Sequence, residues 1–112
     1  MRTHRLDNYL RTHRKRSGYS QETLSYLLGA NSGTKISRYE RNDRVPSFDT
    51  VLALVAVFGT PMEELFAGRF AKVRTKVRRR AAFLRRRLAA SPESYATRRQ
   101  LESLSRISKT PR

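Results

Sequence analysis

The side chains of this chain that could do chemistry are mostly cationic. Its 112 residues carry 25 Lys and Arg against 9 Asp and Glu, a net charge of +16. Guanidinium and ammonium groups donate hydrogen bonds to phosphate oxygens and to base-edge acceptors, so a charge of this size favours a polyanionic partner, nucleic acid or an anionic membrane surface. The means for making and breaking bonds are sparse. There is no cysteine, which excludes disulfides, Cys-ligated zinc and thiol catalysis together. His4 and His13 are the only histidines and lie apart from any acidic cluster, so neither a metal site nor a cofactor is expected. His13 instead fits the inner face of a first helix, and His4 an exposed start. The Ser, Asp and Glu residues show no arrangement of nucleophile, base and orienting group. The residues point to binding, not to an enzyme.

The positioning elements are helical. From Leu6 to Arg16, Leu6, Tyr9, Leu10 and His13 recur at helical spacing, and Ser17-Gly18 ends the pattern. Ser20 can cap a second helix from Gln21 to Leu28, with Leu24, Leu27 and Leu28 as its apolar stripe and Gly29 as its stop. A turn follows, then a third helix from Thr34 to Arg41 with Ile36 and Tyr39 facing inward. Ser47 can cap a fourth helix whose Val51, Leu54, Val55 and Phe58 are spaced three and four apart, and Gly59 stops it. Thr60, Pro61 and Glu63 read as a capping box for a fifth helix burying Met62, Leu65 and Phe66. The expectation is an all-α fold in which residues 1–68 form a five-helix domain. The longest apolar run, Val51 to Phe58, is 8 residues, against roughly 20 for a bilayer span. With a polar stretch from Arg2 to Asp7, the expected location is cytoplasmic.

Charge divides the chain near Gly68. Residues 1–68 hold 10 basic and 7 acidic side chains, a net of +3; residues 69–112 hold 15 and 2, a net of +13. The second part reads as a basic amphipathic helical extension with Phe70, Val73, Val77, Ala81, Leu84 and Leu88 on one face. Ser91-Pro92 interrupts it, a weaker helix from Glu93 to Ile107 follows, and residues 108–112 are expected to be disordered. The face formed by Phe70, Val73, Val77, Leu84 and Leu88 suits a helix pair, although Arg80 falls in its seam. The same segment suits added phosphate contact or a protein partner. A membrane surface is the least favoured, because a DNA partner already suits its composition.

Leu10, Arg11 and Arg14, then Gly18, Tyr19, Ser20, Gln21, Leu24, Leu27, Leu28 and Gly29, then Ile36, Ser37, Arg38, Glu40, Pro46 and Ser47 resemble, in that order, the Cro and phage-repressor type (Xre-like) of helix-turn-helix regulator. The resemblance covers about Leu6 to Phe66. It implies a lambda-repressor-like fold and a transcriptional regulator that lays its third helix into the major groove of double-stranded DNA as a homodimer, repressing on family grounds. An antitoxin-like module, whose tail binds a protein partner, is the alternative. One departure stands out: Gly29 to Ile36 is seven steps where the family has six, so the third helix is capped by one of Asn31, Ser32 and Gly33. Counted back from Ile36, the resemblance places Ser32, Gly33, Thr34, Lys35 and Arg38 toward base edges. It places Gln21, Ser37, Arg41 and Arg44 at phosphates, and it pairs Arg14 with Glu40 away from DNA.

Overall fold

The computed structural model describes residues 8–30 and 32–109, the last two of these as backbone only. Leu6 of the first apolar stripe, His4 and the cap candidate Asn31 lie outside the described residues. Seven helices, and no strand among the described residues, follow in order: α1 (Leu10–Arg16), α2 (Gln21–Leu27), α3 (Thr34–Glu40), α4 (Phe48–Phe58), α5 (Met62–Leu65), α6 (Ala67–Ala89) and α7 (Tyr95–Lys109). The chain divides into two compact units, Met1–Phe70 and Ala71–Arg112.

In the first unit, local sequence sets the helix ends. Ser20 Oγ accepts from the Thr23 N–H at 3.0 Å and Ser47 Oγ from the Thr50 N–H at 3.2 Å, each satisfying an orphan donor of a first turn. Gly59 ends α4 in the left-handed conformation, φ +62°, where a Cβ would be strained. The apolar stripes then close one core of Leu10, Leu24, Ile36, Tyr39, Leu54, Leu65 and Phe66, flanked by Leu28, Val51, Val55, Val57 and Phe58. The His13 ring packs 5.7 Å from that of Phe58. Two bonds tie the start of α1 to the rest: the Tyr9 N–H donates to Leu65 O at 2.7 Å, and Asn8 Nδ2 to Tyr39 O at 2.9 Å.

Several expectations fail for identifiable reasons. The capping box at Thr60 does not form, because the Thr60 hydroxyl turns back to donate to Phe58 O at 3.3 Å and α5 begins without a side-chain cap. α5 is only four residues long, so it buries Leu65 and leaves Met62 exposed. Leu27 is likewise exposed, because at the end of a two-turn helix only Leu24 and Leu28 point at the core. The compositional boundary near Gly68 falls inside α6, where Gly68 is buried.

In the second unit, α7 begins at a Ser94 cap that accepts from the Thr97 N–H at 3.1 Å. Ala81 and Leu104 are buried. Ala82, Arg85, Arg86 and Ala89 of α6 and Leu101 and Ser105 of α7 line an open groove. Ser108 and Lys109, expected to be disordered, continue α7; residues 110–112 lie outside the described residues. Val73, Val77 and Leu84 of α6 stay between 40% and 52% exposed. No helix among the described residues is long and apolar enough to cross a membrane.

Candidate nucleic-acid interface

α2, the turn after it and α3 form one exposed surface whose framework is fixed from behind. Arg14 on α1 reaches Glu40 at the end of α3, with Nε 2.5 Å from Oε2 and Nη2 3.2 Å from Oε1. Its third nitrogen, Nη1, donates to Tyr19 O at 3.0 Å, in the link between α1 and α2. Gln21 Nε2, from the first turn of α2, donates to Glu40 Oε1 at 3.1 Å. The arginine side chain is 10% exposed and the glutamate 4%. Charges this far from water are tolerable only with their hydrogen bonds made. One carboxylate thus joins α1, α2 and α3. The resemblance implies a phosphate contact for Gln21; its Nε2 is engaged with Glu40 within the protein.

The turn is held from the front by α2. Ser25, itself buried, donates its hydroxyl to Ser32 O at 2.5 Å, and Glu22 Oε2 accepts the Gly33 N–H at 3.0 Å. Gly33 is the N-cap residue of α3. It is also buried, which corrects its expected exposure toward bases. A Cβ there would come within 3.1 Å of Gln21 Cβ and of Glu22 Oε2, so the absence of a side chain lets the start of α3 lie against the start of α2. Ser32, whose Oγ accepts the Thr34 N–H at 3.4 Å, stays exposed beside it.

Thr34, Lys35 and Arg38 are exposed on α3, Ser37 is half-buried, and Arg41 and Arg44 are exposed just beyond it. Arg41 Nε lies 3.2 Å from Asp43 Oδ2, a solvent-exposed pair worth little on its own. Ser20, Gln21, Glu22, Gly33, Thr34, Ser37, Arg38 and Arg41 line a shallow depression between the two helix starts. Ser25 and Glu22 take part in this surface without having been singled out from sequence, and Ser20, read there as a cap, also lines it. The seven-step spacing from Gly29 to Ile36 was the sequence signal nearest to this arrangement. Among the described residues no group of His, Cys, Asp and Glu could hold a metal ion.

A rigid pair of short helices joined by a pinned turn, with a third helix paired behind and cations in front, is the arrangement that presents a helix to a DNA groove. No curated protein and no solved structure matches the chain. A family model described as a helix-turn-helix domain matches residues 6–67, more than half of the 112 residues. The chain therefore belongs to the helix-turn-helix domain family, a DNA-binding regulator type.

Proposed function

We propose that the protein is a sequence-specific transcriptional regulator, acting as a repressor by occupying an operator with α3 in the major groove. The observation that carries this is the exposure of Thr34, Lys35 and Arg38 on a helix fixed at both ends, at Gly33 and at Glu40. Lys35 and Arg38 donate to guanine O6 and N7, the Thr34 methyl packs on a thymine methyl, and Ser32 reaches an adjacent edge. Ser37, Arg41 and Arg44 meet phosphates, which set register without reading sequence. Gln21 joins them through whatever donor capacity its bond to Glu40 leaves. Two copies pair through the exposed face of α6 around Val73, Val77 and Leu84, with Phe70 and Leu88 at its ends, giving two half-sites about 34 Å apart.

Selection from a random duplex pool with the full chain, at two salt concentrations, tests the reading. A palindromic motif retained at the higher salt is the expected result. Tight binding without a motif, lost as salt rises, refutes sequence-specific regulation and leaves a polycation on a helix-turn-helix scaffold.

One observation favours a second reading, an antitoxin-like module whose basic segment holds an acidic protein. Arg78 Nε and Nη2 are buried without a hydrogen-bond partner among the described residues, in a segment with 15 basic and 2 acidic side chains. A carboxylate from a partner chain would satisfy those two buried donors of the half-buried Arg78.

A further inference from the structure

We propose that Glu22 is a positioning residue for the recognition surface: its carboxylate, by accepting the Gly33 N–H, sets the start of α3 relative to α2, and so sets how well the protein discriminates its site from other DNA. The inference rests on the DNA-binding reading above.

A carboxylate on a DNA-facing surface needs a reason. Glu22 is exposed, beside Arg38 and Arg41 in the depression that the two helix starts share. A negative charge there repels phosphate, and it lowers affinity for every DNA sequence alike. The structure shows what the side chain does in return. The N-cap residue of α3, Gly33, has no side chain to cap with, and beside it only a long bond, from the Thr34 N–H to Ser32 Oγ at 3.4 Å, serves the first turn. The Glu22 carboxylate fills that place from another helix, accepting the Gly33 N–H across the turn at 3.0 Å. Ser25 holds the preceding carbonyl, that of Ser32. Two side chains of α2, one turn apart, therefore grip two consecutive residues of the turn.

The two effects of the carboxylate separate by substitution. Glu22→Gln removes the charge and keeps an oxygen acceptor for the Gly33 N–H. Glu22→Ala removes both. Charge alone acts on phosphates, which contribute to specific and non-specific binding equally; position acts only on base contacts. Hence E22Q should tighten binding to the selected site and to random duplex by the same factor, about two- to threefold, leaving their ratio unchanged. E22A should tighten random-duplex binding as much, yet bind the site more weakly than E22Q by about fivefold, the scale of losing one helix-capping bond.

The experiment measures both affinities by fluorescence anisotropy for wild type, E22Q and E22A, together with the exchange rate of the Gly33 amide without DNA. All measurements are made below the melting midpoint of the least stable variant. Gly33 exchange should be slow in wild type and E22Q and at least about tenfold faster in E22A. If E22A and E22Q keep the same site-to-random ratio, the carboxylate acts only as a charge and the proposal is overturned. Unchanged Gly33 exchange in E22A overturns it too, since the bond would then hold nothing. Failure of the DNA-binding reading looks different: no site is selected by wild type, while the exchange comparison still decides whether Glu22 holds the turn.

Discussion

Glu40→Ala should unfold the first unit at temperatures where the wild type is stable, without Glu40 ever touching DNA. The carboxylate accepts from Arg14 Nε, Arg14 Nη2 and Gln21 Nε2. Truncation to alanine deletes both acceptor oxygens and with them all three bonds. It leaves the Arg14 guanidinium, on a side chain only 10% exposed, facing the space its partner occupied. Breaking a buried pair from one side costs about 3–5 kcal/mol. A domain of this size has a total stability of about 5 kcal/mol, so most of it would go. At about 4–8 °C per kcal/mol for a small domain, the lower figure lowers the melting midpoint by about 12–24 °C. Thermal unfolding followed by far-ultraviolet circular dichroism reads this directly. The double variant Arg14→Met with Glu40→Leu supplies the control, because replacing both members by apolar side chains of similar volume removes the stranded charge and should recover most of the loss. A fall of less than about 4 °C in Glu40→Ala, or a double variant no better than the single one, would refute the reasoning. DNA binding lost in Glu40→Ala would then be a consequence of unfolding, so that variant should never be used to map contacts.

Lys35→Ala and Arg38→Ala should each weaken binding to a selected site by about 1–3 kcal/mol and relax the preference at one base position, whereas Arg44→Ala should weaken all sequences alike and reduce the salt slope by about 1; titrations across salt on matched and mismatched duplexes separate the two patterns. Leu54→Ala, at a fully buried position, should cost about 2–5 kcal/mol, read as a lower denaturant midpoint with unchanged slope. Val77→Asp places a carboxylate in the exposed face of α6 and should convert a dimer to a monomer in sedimentation without moving the melting of the first unit. A wild-type chain that sediments as a monomer at every concentration would remove the basis for pairing through that face.

Much of the first unit was legible in the sequence because its signals are local. Ser20 and Ser47 cap helices through bonds that span three residues, and Gly59 supplies a left-handed stop; neither needs the rest of the chain. The apolar spacing likewise marked Leu10, Leu24, Ile36 and Leu54, since a stripe at helical period has only one side on which to be buried. The resemblance to phage-type repressors brought Arg14 and Glu40 into view, and the family model reached the same domain. Where local signals competed, the sequence misled: Thr60 and Glu63 spell a capping box, but the Thr60 hydroxyl bonds to Phe58 O, and Met62 lost its place in the core to Leu65 because α5 is a single turn.

What only the tertiary structure decided is how close two chain segments come. Gly33 looked like one more small exposed residue before a helix. It proved to be the point where the starts of α2 and α3 approach within a distance no Cβ would allow without neighbours moving. Glu22 looked like an ordinary solvated glutamate, and the structure makes it the acceptor for that buried N–H. Spacing along a chain encodes which face of a helix is buried, since the period is fixed by backbone geometry. It does not encode the distance between faces of different helices, which follows from how the whole core packs.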